Sequence, residues 1–348
     1  MLIRKPTYYD EFKCLAGACP ETCCAGWAVV VDEAAQERYS NMTGALGQRI
    51  RSEMKEDDGD IIFPLRDGRC PFLNDANLCD IQAATDEGML CRTCRMFPRF
   101  ENEFGLVREV GLSLSCPEAA RLIMSEIEQD AKLIEEQTDE GITQYNDIDP
   151  ELYFTVTKYR KNLFAVLQEE SVSLEDKIGK IVSVAARLAG GKAPRRHEGR
   201  MNFCECLRIC QMLESFDDGW DKLCQELAAL QGKEQSVAEF VPSADEKREL
   251  ENILFYYVYR YFLSTVLDEK YGENTDENDS VNIAGKLLIS VFCLYIILSV
   301  YVIKQPKTEA ERIELVCKIS REVEHSQLNL DIVEKEMAKA IKKCKEVL

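Results

Sequence analysis

Histidine is nearly missing from this chain: His197 and His325 are the only two in 348 residues. A mixed cysteine–histidine zinc knuckle therefore cannot be built within the first third of the sequence, where neither histidine lies. Positive charge is also short, with 43 lysines and arginines against 62 aspartates and glutamates and a formal net charge of −19. Such a charge repels a phosphate backbone, and the residues on both sides of Met124 share it, so nucleic acid is not an expected partner. No internal repeat and no low-complexity segment occurs. A strand–GxGxxG–helix unit is lacking too, since GGKAPRR at 190–196 lies between helical patterns without the fingerprint, and a Rossmann-type cofactor site has no support. The opening MLIRKPTYYDEFKC scatters charges and has no apolar run. A reducing, cytoplasmic compartment is the expectation.

Cysteine is what the chain has in excess. There are 16, and nine of them, Cys14, Cys19, Cys23, Cys24, Cys70, Cys79, Cys91, Cys94 and Cys116, fall in the first third. Their spacing is C-x4-C-x3-C-C, then Cys70 and Cys79 in CPFLNDANLC, then the C-x2-C of Cys91 and Cys94, then Cys116 in SLSCPEAARL. Clustered thiols in a reducing compartment point to metal rather than disulfide, and a C-x2-C pair lets two sulfurs meet one ion across a tight turn. Adjacent Cys23 and Cys24 face opposite sides of an extended chain, so they either sit on a turn or serve different centres. The nine thiols divide as one four-thiolate site plus spares, or as two sites plus one. Structural zinc and a 4Fe-4S cluster are both compatible with all-thiolate ligation. Arg92, Arg95 and Arg99 around the second clip suit a cluster whose charge needs screening. Pairing of these arginines with Glu101, Glu103 or Asp86 is the plainer alternative. Cys204, Cys206, Cys210, Cys224, Cys293, Cys317 and Cys344 read as small apolar packing residues.

Periodicity gives a mixed α+β fold class. A small, loop-rich, cysteine-rich metal-binding module with short strands occupies 1–134, a polar linker 135–150, and a mostly α-helical domain 151–348. In the first part, 27–32 and 60–65 read as short strands, 33–55 as helical, 99–115 as a hairpin about a Glu-Phe-Gly turn, and Pro117 as the start of a helix running to residue 134. Helices are expected at 151–169, 173–189, 199–230, 245–268, 280–304, 308–324 and 329–346, with breaks at 190–196, 269–279 and 304–306. Residues 287–303 carry no charge between Lys286 and Lys304. At the lower edge of spanning length, alone and flanked by amphipathic patterns, they read as a buried helix and not a membrane span.

Several strings together make the chain recognisable: F-K-C-x4-C-x3-C-C-x-G-W, the CPFL and LCDIQ pieces, LC-x2-CR-x-FPR, and SLSCPEAARL, all within 8–123, with ENxLxYYxYRYF at 251–262. They resemble the flagellin lysine-N-methylase, or FliB-type, family. The resemblance implies an S-adenosylmethionine-dependent protein-lysine N-methyltransferase acting on surface lysines of flagellin, with an iron–sulfur cluster. It implies that the nine N-terminal cysteines match the family's cysteines, without saying which four hold a cluster. Catalytic and cofactor-binding residues are not singled out. The spacing is not the C-x3-C-x2-C of radical S-adenosylmethionine enzymes, because Cys23 is followed at once by Cys24, and a polar transfer is favoured. The reading of a different class is a non-catalytic zinc, iron–sulfur or electron-transfer module joined to a helical interaction domain.

Three further features carry expectations. Phe255, Tyr259 and Phe262 in FYYVYRYF share a helical face as ordinary core, with an aromatic slot for a methylated ammonium as the alternative. Trp27 either shields a metal or anchors the loop that bears it. An acidic helix face with Asp245, Glu246 and Glu249, or the run 276–279, is expected to attract a lysine-bearing protein surface.

Overall fold

The computed structural model describes residues 1–125, 133–142, 148–190, 203–216, 218–230, 237, 240–267 and 277–346. Its architecture is mixed α+β, with two small sheets near the N-terminus and a helical C-terminal part. The first sheet orders β1 (Leu2–Pro6), β5 (Arg99–Phe104), β6 (Val107–Leu112) and β7 (Leu133–Gln137) as β5-β6-β1-β7. The β5–β6 hairpin is the one expected from the sequence, turning through Gly105 at φ 62°. β1 runs parallel to β6 and antiparallel to β7. Residues 135–137, expected to open a linker, are thus the end of a strand. Their pairing is carried by charge: Arg4 binds Glu135 and Lys5 binds Glu136, opposite charges on neighbouring strands. A strand built of such residues has no apolar alternation to betray it. The second sheet is antiparallel, in the order β2 (Val29–Val30), β4 (Asp60–Phe63) and β3 (Lys55–Asp57).

Between these strands lie short helices. The expected 33–55 helix is two, α1 (Glu33–Asn41) and α2 (Gly44–Glu53), parted at Met42-Thr43, with Gly44 at φ 82°. α3 (Asp80–Ala84) and α4 (Arg92–Met96) follow, and α5 (Pro117–Met124) begins at Pro117 as expected but stops well before residue 134.

The helical part comprises α6 (Pro150–Leu167), α7 (Leu174–Leu188), α8 (Phe203–Cys210), α9 (Asp218–Ala228), α10 (Ala244–Tyr257), α11 (Glu277–Lys304), α12 (Glu309–Glu324) and α13 (Gln327–Glu346). The single helix expected over 199–230 is broken after Cys210. Asn329 of α13 is the cause: its side chain accepts from the Glu214 N–H at 2.8 Å and donates to the Glu214 carbonyl at 3.0 Å, fixing a turn where the local pattern favoured helix. After α10 the chain winds into a π turn, Val258–Phe262, and a 3-10 turn, Leu263–Leu267. The breaks expected at 191–196 and 269–276 lie outside the described residues.

α11 is the axis of the core. It is long and apolar enough to cross a membrane, yet Leu288, Val291, Phe292, Cys293, Leu294, Ile296, Ile297 and Val300 are fully buried within the molecule, as the sequence reading of 287–303 expected. Gly285 lets α13 approach closely, for a Cβ there would sit 2.4 Å from the Glu334 carbonyl oxygen. Gly285→Ala should therefore lower stability by about 1–3 kcal/mol despite alanine's helix preference. A thermal midpoint equal to or above wild type would contradict this close approach.

Among the described residues two apolar clusters form, and they part within the N-terminal region. The larger joins the helices to Tyr8, Phe12, Phe104, Leu112, Leu114 and α5. The smaller, built on Val29, Val31, Tyr39, Ile50, Phe63, Phe72, Ile81 and Leu90, belongs to the segment between the first loop and β5.

Candidate thiolate centre and its seam with the helical body

All nine N-terminal cysteines are free thiols. Five of them gather in the smaller cluster, where Cys70 and Cys91 are buried and Cys24, Cys79 and Cys94 pack against them. The backbone explains the gathering. Cys70 N–H donates to the Cys24 carbonyl at 2.8 Å and Gly26 N–H to the Gly68 carbonyl at 3.0 Å, so the Cys23–Cys24 turn is zipped to the Cys70 loop. Leu73 bridges to Cys79, which is the N-cap of α3. Cys91 is the N-cap of α4, and its sulfur hydrogen-bonds that of Cys94 at 3.4 Å. Asp32 fastens this helix to α1, capping Ala35 with one oxygen and accepting the Arg92 N–H at 2.6 Å with the other.

The remaining four, Cys14, Cys19, Cys23 and Cys116, lie outside the smaller cluster. Cys116 is the N-cap of α5 and belongs to the larger core. Cys14 and Cys23 are exposed. Among the described residues, no three His, Cys, Asp or Glu side chains converge closely enough to hold an ion in this structure.

The thiols are tuned in pairs. The hydrogen bond from Cys23 pulls Cys24 down to about 7, and the same bond pushes Cys23 up. Cys91 is lowered by its bond with Cys94, whose own thiol is raised by it. Burial pushes Cys70 up to about 12 and Cys116 up to about 11. Buried thiols of this kind ionise when a metal displaces their protons, so their affinity for metal falls in acid.

Positive charge reaches the thiols from places other than those expected. Arg92 is spent on Glu101 at 2.8 Å, and Arg99 lies over the Phe12 ring at 5.1 Å. The charge of Arg69 instead favours the Cys24 thiolate, and that of Arg321 on α12 the Cys19 thiolate. Arg321 pairs with Glu21 and donates Nε to the Ser115 carbonyl at 3.0 Å. Nothing local in the sequence marks this arginine as a neighbour of the cysteines.

Trp27 is an anchor. Its indole N–H donates to the Cys23 carbonyl at 2.8 Å, and its ring lies 3.9 Å from His325 and 5.3 Å edge-on to Phe97. His325, remote in sequence, is thus at the cysteine-bearing loop, whereas His197 lies outside the described residues. Burial, with Arg260 and Arg321 adding repulsion, lowers the His325 pKa from 6.5 to about 3. The group stays neutral when folded but takes up a proton when unfolded, so its contribution to stability is present above pH 6.5 and drains away as pH falls toward 3. Between pH 6.5 and 5 the loss is about 2 kcal/mol at 1.36 kcal/mol per pH unit. His325→Phe, which keeps a ring against Trp27, should lose correspondingly less between pH 7 and 5 in urea denaturation, and an equal loss in both proteins would refute this account.

The aromatic run is core, as expected. Phe255 stacks on Phe164 at 4.4 Å, Tyr259 donates its hydroxyl to the carbonyls of Arg4 and Val110, and Phe262 is fully buried. The rings nearest a cage, Phe100, Tyr256 and Tyr261, are already filled by Arg260, 4.6, 5.8 and 5.3 Å from the three centroids. The acidic face on α10 is also engaged within the chain. Glu249 pairs with Arg312 at 2.6 Å, Glu246 closes a capping box with Ser243, and Asp245 pairs with Arg248. Residue 276 and the side chains of 277–279 lie outside the described residues. Cys206, Cys210, Cys293 and Cys317 are buried and Cys224 half-buried, while the side chains of Cys204 and Cys344 lie outside the described residues.

Residues 194–348 match the FliB lysine N-methylase C-terminal domain. This match supports the FliB-type resemblance read from the sequence. The match falls on the helical half, where the sequence offered fewer motifs than the cysteine-bearing half. The chain is also similar to the flagellar biosynthetic protein FliU of Salmonella muenchen, 28% identical over 131 residues, or 36% of this chain and 78% of the relative. The lysine-N-methylases of Salmonella typhimurium and Salmonella choleraesuis are each 28% identical over 143 residues, 39% of this chain. The matched region spans 35% of those two relatives' length. No solved structure matches the chain.

Proposed function

We propose that this chain is a protein-lysine N-methyltransferase that takes its methyl group from S-adenosylmethionine and acts on a flagellar protein, flagellin, in the cytoplasm, with a thiolate-bound 4Fe-4S cluster. The match of the helical half to the FliB lysine N-methylase C-terminal domain carries the reading. The chemistry of the donor set supports the cluster. Four of Cys24, Cys70, Cys79, Cys91 and Cys94 would hold it, with Val29, Tyr39, Phe63 and Phe72 keeping water from the sulfurs and Arg69 offsetting charge at Cys24. Four thiolates also accept zinc, which metal and sulfide analysis of anaerobically purified protein distinguishes. When bound, the cluster supplies redox and Lewis-acid chemistry.

A lysine amine is nucleophilic once neutral and a sulfonium methyl is already activated, so the protein must desolvate the amine and align it with the methyl. The polar route is favoured because Cys23 and Cys24 are adjacent, unlike the C-x3-C-x2-C of radical enzymes. The test is incubation of the full chain with flagellin and S-adenosylmethionine, followed by mass analysis of both products. Methylated lysine with adenosylhomocysteine, formed without added reductant, is the expected result. Stoichiometric deoxyadenosine would overturn the polar route, and unmodified flagellin under all conditions would overturn the substrate.

A further inference from the structure

We infer that a cavity between the start of α10 and the end of α11 binds the adenosine part of the methyl donor, a site that rests on the proposed function for the donor's identity. The cavity holds about 330 Å³, inside the roughly 300–1,000 Å³ range of small-molecule sites. Phe240, Glu246, Tyr301, Val302, Gln305 and Pro306 line it, with Lys307 beside them. All seven fall in the stretch that matches the FliB lysine N-methylase C-terminal domain.

Two polar groups on its wall are left with capacity that folding does not use. Tyr301 is 1% exposed, yet its hydroxyl has no hydrogen-bond partner, a costly state that a ligand acceptor relieves. Burial, with the Glu249 carboxylate adding to it, raises the pKa of that hydroxyl, so it stays a donor. Glu246 spends Oε2 on the Ser243 N–H at 2.8 Å, and among the described residues its Oε1 accepts nothing. A carboxylate oxygen is a natural acceptor for ribose hydroxyls. The Gln305 side chain both donates and accepts, as the edge of a base requires. Its backbone stands at φ 48°, a strained choice for a residue other than glycine, and this turn ends α11 and carries the chain into Pro306.

The apolar wall suits a base. Phe240 offers a ring for stacking, and Val302 and Pro306 are carbon surface. A lysine side chain fits less well, because it would leave base-sized space unfilled and would bring its ammonium toward Lys307, a like charge. Adenosine is uncharged and meets no such repulsion. Lys307 immediately precedes the cap of α12, and Arg321, which pairs with Glu21 on the cysteine-bearing loop, lies about 20 Å farther along that helix at about 1.5 Å per residue. A donor held at the near end is out of contact with thiolates at the far end, which accords with the polar route.

The full chain, purified anaerobically, is dialysed to equilibrium against radiolabelled S-adenosylmethionine, as wild type and as Glu246→Gln/Tyr301→Phe. Glutamine keeps an oxygen for the Ser243 cap and the Tyr301 hydroxyl has no bond to lose, so the thermal midpoint should stay at the wild-type value. The double variant should bind at least about tenfold more weakly. Photolabelling of the wild type with an azidoadenosyl analogue, read by peptide mass mapping, should mark residues 240–246 or 301–307. Undiminished affinity in the double variant, or label confined to the cysteine-bearing peptides, would overturn this site and leave the methyltransferase reading standing. A wild-type chain that binds no S-adenosylmethionine would overturn the methyl donor itself, and this site with it.

Discussion

Cys91→Ser/Cys94→Ser is expected to strip the enclosed metal and unfold the segment around the smaller apolar cluster. That cluster is small for a self-sufficient core, and two of its buried members are Cys70 and Cys91 themselves. In a thiolate site of this size, metal binding energy is also folding energy, about 10 kcal/mol or more for structural zinc in small peptides. Its loss exceeds what β2, β3, β4 and two short helices can replace. The helical body has its own core around α11, so far-UV helical signal should largely survive, while limited proteolysis should open the stretch from residue 28 to 96. Cys293→Ala, at a fully buried position on α11, serves as the control and should cost packing without metal. Full metal content in the Cys91/Cys94 double variant would sink the assignment.

What the sequence disclosed follows from how local each signal is. α10 announces itself through the Ser243–Glu246 capping box and α5 through Pro117, because the groups that start a helix lie within one turn of it. The β5–β6 hairpin is equally local. β1 and β7 are not: their register depends on Arg4 meeting Glu135 and Lys5 meeting Glu136 across the whole N-terminal region. The break after Cys210 depends on Asn329, and no window around residue 214 contains that information. At the site, spacing named the nine thiols but not which of them pack together, since the five of the smaller cluster come from segments distant along the chain. Histidine count likewise carries no information on position. His325 is remote along the chain and beside Trp27 in space.

Three thiols show a signal that was available in the sequence. Cys79, Cys91 and Cys116 are all helix N-caps, each preceding a short helical stretch, in CDIQA, CRTCR and CPEAA. An N-cap sulfur accepts backbone N–H groups, which favours thiolate over thiol. Burial nevertheless raises Cys79 and Cys116, as it raises Cys206 and Cys293 inside helices, and of the three N-caps only Cys91 is lowered, by its bond with Cys94.

Glu324→Leu should be the most destabilising single change outside the cysteines, by about 4 kcal/mol. Glu324, the last residue of α12, is wholly inaccessible as a side chain and sits 3.2 Å from the Arg260 guanidinium. It accepts hydroxyls from Tyr256 and Tyr261 at 2.7 Å and from Ser320 at 2.6 Å. The π turn at 258–262 places Arg260 and Tyr261 together over this one carboxylate, and Tyr256 passes the connection on to the Leu114 N–H beside the seam. Leucine leaves the guanidinium and two tyrosine hydroxyls without their acceptor, and breaking one side of a buried ion pair alone costs about 3–5 kcal/mol. Glu324→Gln keeps an acceptor and should cost less. Adding Arg260→Leu to Glu324→Leu should restore part of the loss, because the stranded charge is removed with its partner. Urea denaturation of the three variants measures this directly: a Glu324→Leu protein within about 1 kcal/mol of wild type, or a double variant less stable than Glu324→Leu alone, would show that the node does not hold α12 to the π turn.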